Sequence, residues 1–267
     1  FQKVLDLSNK ALEIDPDCAE AHAAKGAYYI WAKRSFENGR NELITALELN
    51  PNCAPAHQWY AQLLMITGPI TEARIFIDRA LELEPYFWVI QNLNAWIYYF
   101  EEKYGNALDA CIAARDLNPD YIDNKWLFFL NYAKMGDGEN AMTALQAIAL
   151  TNPESALYAD EISEAYSKSG IKGLFTWLVD VNISKPVPVL GMTGHPYLIA
   201  WWNAILGNSE ESIRWLEKNM EMKWRYYEFF NLIATNPDFD ILRDNPRFTA
   251  IIDELGLTPY NTRVVRH

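Results

Sequence analysis

The chain has 267 residues, half of them hydrophobic and 14% aromatic, and carries a net charge of −12. That is ample apolar material for a large core, and the acidic balance argues against direct nucleic-acid binding, which needs a basic face for phosphate contacts. No run of eighteen apolar residues is present, so membrane insertion is not expected, and the three scattered cysteines Cys18, Cys53 and Cys111 suit a reducing, cytoplasmic compartment rather than a disulfide framework or a zinc site.

Along the chain, helix-like runs end in proline at a fixed interval: "ALEIDP" at Pro16, "ALELNP" at Pro51, "ALELEP" at Pro85, "ARDLNP" at Pro119 and "IALTNP" at Pro153. The spacings are 35, 34, 34 and 34 residues. A period in this range marks a solenoid of stacked supersecondary units. Other positions keep step. Twelve residues before the prolines stand Val4, Gly39, Ala73, Ala107 and Ala141, and five before stand Ala11, Ala46, Ala80, Ala114 and Ile148. Small residues at fixed offsets let helices approach closely, and the apolar Leu43, Ile77, Cys111 and Leu145 fill the space between them. Gly68 and Gly136 fall where a tight turn joins two helices, and Glu102 holds that place in the third unit.

The pattern predicts helix pairs 20–33 with 37–49, 54–67 with 70–83, 88–101 with 104–117, and 122–135 with 138–150, preceded by a lone second helix at 2–14 whose partner is expected upstream of Phe1. These units closely resemble tetratricopeptide repeats. The resemblance implies an all-α, right-handed solenoid of antiparallel helix pairs over residues 1–153. Residues 154–267 are expected to form degenerate helical repeats and an irregular helical cap on the same solenoid.

Past Pro153 the period fades. A pair around Gly170 is still legible, then a break at Pro186, Pro188 and Pro196, then a pair joined at Gly207-Asn208 with Ser209 as N-cap. The segment "KWRYYEFFNLIA" is strongly aromatic and reads as a packing helix. "NPDFDILRDNPRF" repeats Asn-Pro before Phe239 and Phe248. Proline disfavours helix in the residue before it and suits the first turn of the next helix, while asparagine can cap that helix. The stretch therefore reads as two short helices, each opened by Asn-Pro, rather than as a pair of docking signals. They are expected to seal the end of the solenoid, with both rings on the aromatic residues Tyr226–Phe230. The segments "LGNSEESIRWLEKNME" and "NPDFDILRDNPRFTAIIDELGL" also resemble the C-terminal signature of bacterial multidomain regulators. There a repeat domain follows a winged-helix DNA-binding, class III nucleotide cyclase or protein kinase effector.

Chemistry is sparse. The sequence has no GxSxG, HExxH, P-loop or GxGxxG motif. His22 and His57 are repeat-equivalent and expected to be structural. The pairs Glu101-Glu102 and Glu210-Glu211 are placed at turns and helix starts, where the dipole favours carboxylates. No catalytic residue, cofactor or metal is expected. The tetratricopeptide resemblance instead implies a concave groove lined by the first helix of each pair. In register these residues are Ala23, Ala27, Gln58, Gln62, Met65, Asn92, Trp96, Tyr99, Trp126 and Leu130. No lysine falls in this set, so a clamp for a peptide's terminal carboxylate is not expected. The amides suit a peptide backbone and the aromatics suit apolar anchors, unless Trp96, Tyr99 and Trp126 pack on the chain's own C-terminal helices. The expected role is a protein-interaction or regulatory module for a peptide or partner domain, with a homodimer as a further possibility. The alternative is a small-ligand sensor with an aromatic pocket between the repeats and residues 195–235.

Overall fold

In the computed structural model, residues 1–119, 121–184, 195–222 and 228–258 are described, and among them no strand occurs. A single helix, α1 (Gln2–Ile14), precedes four pairs: α2 (Ala19–Trp31) with α3 (Phe36–Leu49), α4 (Ala54–Thr67) with α5 (Ile70–Leu83), α6 (Trp88–Phe100) with α7 (Tyr104–Leu117), and α8 (Ile122–Lys134) with α9 (Gly138–Ala149). The small-residue register explains how they pack. Gly39, Ala73, Ala107 and Ala141 are all buried, and a Cβ added to Gly39 would come within 2.6 Å of Ile30 Cγ1. The larger Leu43, Ile77, Cys111 and Leu145 are fully buried beside them.

The turns inside the pairs share one feature. Arg34, Gly68, Glu102 and Gly136 stand one repeat length apart and all have positive φ, at 52°, 60°, 61° and 78°. Glycine adopts this conformation freely, whereas Arg34 and Glu102 bear a cost of roughly 1–2 kcal/mol each. Helix packing imposes the turn whatever residue occupies it, which is why Arg34 escapes a search for glycine.

A second recurring contact accounts for the histidines. His22 Nε2 lies 3.1 Å from the Pro16 carbonyl, His57 Nε2 2.9 Å from that of Pro51, and Gln91 Nε2 donates to that of Pro85 at 3.0 Å. The position six residues after Pro16, Pro51 and Pro85 thus ties the new helix to the inter-repeat turn.

Beyond the short helix α10 (Pro153–Ala156), helix α11 (Ala159–Ser184) breaks at Ser169-Gly170, which gives the expected pair around Gly170. Its two arms run so close that a Cβ on Gly173 would meet the Ala165 carbonyl oxygen at 1.9 Å. The expected break at Pro186 and Pro188 lies outside the described residues. Helices α12 (Pro196–Ile205) and α13 (Ser209–Glu221) follow, turning at Gly207 with φ 81°. The N-cap of α13 is Asn208 rather than Ser209, because the chain is already helical at Ser209.

The Asn-Pro reading holds at the C-terminus in chemical detail. Asn236 Oδ1 accepts from Asp238 N–H at 3.0 Å and Asn245 Oδ1 from Arg247 N–H at 2.9 Å. At Asn50, by contrast, the side chain accepts from Asn52 N–H inside a turn, and α4 starts only at Ala54. Pro246–Glu254 is an α-helix, α14, but Pro237–Leu242 is a 3₁₀ helix rather than the regular one expected. It is only six residues long, and the tighter 3₁₀ turn suits so short a piece. The aromatic partners expected at residues 226–230 lie outside the described side chains. Phe239 is instead 5.8 Å from the ring of Tyr197 and 6.3 Å from that of Phe248, and both phenylalanines are fully buried.

This C-terminal segment covers α12 and α13 as a cap would. Arg247 grips Glu217 with two hydrogen bonds, at 2.8 and 2.7 Å. It also does something a terminal seal would not. Thr235 Oγ1 donates to the Met65 carbonyl in α4, Asp238 meets Tyr99 in α6, and the Leu255 carbonyl accepts from Arg34 after α2. Residues 235–255 therefore turn back along the first helices of the repeats.

Candidate functional site

The first helices α4, α6 and α8 carry the predicted groove positions, and equivalent sites change character along the chain. Gln58, Asn92 and Trp126 stand one repeat length apart, as do Gln62, Trp96 and Leu130. The groove is amide-rich at α4 and apolar at α8. The apolar end takes the apolar helix: Trp202 of α12 stacks on Trp126 with centroids 6.1 Å apart, and Trp201 lies 6.3 Å from Trp96. Trp96, Tyr99, Trp126 and Leu130 are all buried. This is the second of the two arrangements open at the level of sequence.

A polar node locks the filled part. The Tyr99 hydroxyl and the Trp201 indole N–H both donate to Asp238 Oδ2, each at 2.6 Å, and Lys134 pairs with Oδ1. Asp238 has no exposed side-chain surface. Burial first, then the neighbouring carboxylate, pushes the Tyr99 pKa well above its usual value, so the phenol stays a donor. The groove thus does hold a lysine facing a carboxylate, and the carboxylate belongs to the chain itself. Lys134 lies four residues after Leu130 on α8, so extending the groove face by one helical turn would have found it.

What remains open is a cavity of about 120 Å³ at the amide-rich end. Gln58, Gln62 and Met65 from α4 and Asn92 and Trp96 from α6 line it, with Leu232 of the C-terminal segment on its rim. Five of the eight core groove positions meet here; Tyr99, Trp126 and Leu130 do not. Ala23 and Ala27 are buried in the packing of α2. Asn92 is 8% exposed and its Oδ1 has no hydrogen-bond partner among the described residues. A buried amide oxygen left so costs about 1–3 kcal/mol until a donor reaches it.

Several ionisable groups elsewhere serve structure. Glu101 ends α6, where the dipole disfavours a carboxylate, so the expectation of a favourable dipole fails there. Arg74 at 3.1 Å and Lys103 at 3.3 Å compensate it instead. Glu210 and Glu211 do sit in the first turn of α13. Burial pushes the Cys111 thiol up to about 12, which makes it a poor nucleophile.

His195, at the N-cap of α12, is buried, and burial lowers its pKa to about 4. The unfolded chain binds this proton near pH 6.5, so the stabilisation is complete above that pH and is lost as pH falls toward 4. Between pH 7.5 and 5 the wild type should lose about 2 kcal/mol through this group. Urea melts of His195→Asn should show a pH dependence flatter by that amount; equal slopes would mean the histidine protonates freely in the fold.

Repeat period, helix pairing and small-residue register together define an α-solenoid of the tetratricopeptide type. Among solved structures the chain is similar to one described as Naa15/Naa10 bound to HypK-THB, with 17% identity and a TM-score of 0.39 over 94% of this chain and 38% of that one. It is also similar to the P58(IPK) TPR domain, with 13% identity and a TM-score of 0.30 over 97% of this chain and 94% of that one. The chain spans 38% of the length of the first. No protein-family model and no curated protein matches it.

Proposed function

We propose that this chain is a non-enzymatic protein-interaction module that seats one apolar side chain of a partner peptide at the amide-rich end of its concave face. The observation that carries this is the cavity of about 120 Å³. It has room for a single side chain and is well below the roughly 300–1,000 Å³ of small-molecule sites, which favours peptide recognition over a metabolite sensor at this place. Trp96, Met65 and Leu232 supply the apolar wall, and the amides of Gln58, Gln62 and Asn92 are positioned to bond a peptide backbone. Residues 1–153 then present the recognition helices, and residues 154–267 fill the remainder of the groove. The resemblance of the C-terminal segments to bacterial regulators supports placing the module in a cytoplasmic signalling or transcription regulator, next to a DNA-binding, cyclase or kinase effector.

Trp96→Ala is a poor test, because the ring also packs on Trp201 and its loss should cost about 3–5 kcal/mol of stability. Asn92→Leu is better. It removes an unsatisfied buried oxygen and should leave the melting midpoint unchanged or raised. Peptides selected from a random display library on the wild type should carry one recurring apolar residue and bind Asn92→Leu about tenfold or more weakly. Selected peptides that bind both proteins equally would refute the assignment.

A further inference from the structure

We propose a second site, which adjoins the concave cavity at Tyr121 but opens elsewhere: the furrow between α7 and α9 binds a small planar carboxylate, an aromatic acid of one or two rings. The furrow has a volume of about 300 Å³, the lower bound of small-molecule sites. Its floor is the face of α8 that carries Asn124, Phe128 and Tyr132, four residues apart and turned away from Trp126 and Leu130.

The repeat register shows what the furrow lacks. Two repeat lengths carry Tyr60 to Phe128 and Phe76 to Ala144. In the earlier unit the Phe76 ring stacks on Tyr60, with centroids 4.3 Å apart and planes at 24°. In the later unit Ala144 lines the furrow, and α9 offers no ring to cover Phe128 as Phe76 covers Tyr60. Phe128 and Tyr132 lie 6.3 Å apart with their planes nearly parallel, at 25°. A ligand ring laid there takes the place that Phe76 fills in the earlier repeat, in the offset stacking aromatic pairs prefer.

Charge selects the rest of the ligand. The chain carries −12 overall, yet among the described residues the charged ones lining this furrow, Arg115 and Lys125, are both cations. Arg115 holds its guanidinium carbon 5.6 Å from the Phe128 ring centre. Its Nε and Nη2 donate to Asp116 Oδ1, at 3.2 and 3.0 Å, which among the described residues leaves Nη1 for a second anion. Asn140 donates its amide N–H to Asp137 and keeps its oxygen for a ligand donor. Two cations and a largely apolar surface suit a carboxylate on a ring better than a phosphate, which calls for more donors.

The test is calorimetric titration of the intact chain with indole-3-acetate and with its neutral amide. The acid should bind saturably and about tenfold more tightly than the amide at low salt. Lys125→Gln and Arg115→Gln should each narrow that preference. Ala144→Phe restores the ring of the earlier repeat and should abolish binding while the melting midpoint holds or rises; Ala144→Val, a smaller filling, should weaken binding if the phenylalanine is not accommodated. Absence of saturation at millimolar acid, equal binding of acid and amide, or binding unchanged in both Ala144 variants would overturn the proposal. So would binding of a peptide ending in tryptophan under conditions where indole-3-acetate does not bind. Arg115, Lys125 and Ala144 do not line the concave cavity, so these outcomes leave the peptide-binding proposal to its own test.

Discussion

Asp238→Ala should lower the stability of the chain by about 3–5 kcal/mol, the usual cost of removing one partner from a buried charge pair. One carboxylate serves three elements: Tyr99 of α6, Trp201 of α12 and Lys134 at the end of α8. Without it, two buried donors lose their acceptor and the lysine loses its counter-charge. Asp238→Asn keeps an acceptor oxygen for Tyr99 and Trp201, and Lys134, 24% exposed, can turn to water; its loss should be smaller, about 1–3 kcal/mol. Urea melts followed by tryptophan emission measure the midpoint. A loss under about 1 kcal/mol for the alanine variant would show that the node is peripheral to the fold.

Phe239→Ala and Phe248→Ala should each cost about 3–5 kcal/mol. Both rings are fully buried, one against Tyr197 and the two against each other. Replacing the asparagines that open the two short helices, Asn236→Ala or Asn245→Ala, should cost only about 0.5–2 kcal/mol, the scale of a single helix cap. A docking signal would show the opposite ranking, with free rings whose loss leaves melting untouched and abolishes partner capture. An unchanged midpoint in both phenylalanine variants would restore that reading.

The helix pairs were legible because each contact that makes them is local in the chain. A helix buries its small-residue stripe against the helix just before or after it, so spacing alone places Ala73 and Ala107 in the packing. The turn positions were legible where glycine occupied them and hidden where Arg34 and Glu102 adopt the same backbone. The groove was half legible. Its residues follow from the register, and five of the eight gather at one cavity, but register says nothing about what covers them. A clue was present in the drift from Gln58 through Asn92 to Trp126, which makes one end of the groove apolar and in need of cover.

The contacts that fill the groove join residues far apart in the chain: Tyr99 with Asp238, Met65 with Thr235, Arg34 with Leu255. They form only because successive helix pairs curve enough to bring the first helices within reach of the C-terminal segment. That curvature is the sum of small rotations between units, and no single residue spacing encodes it. Period, pairing and capping are therefore properties of the sequence itself, set by neighbours along the chain. The route of residues 235–255 along the repeats, the burial of Asp238, and the small cavity left beside Asn92 were decided by the assembled superhelix, because only there do these surfaces meet.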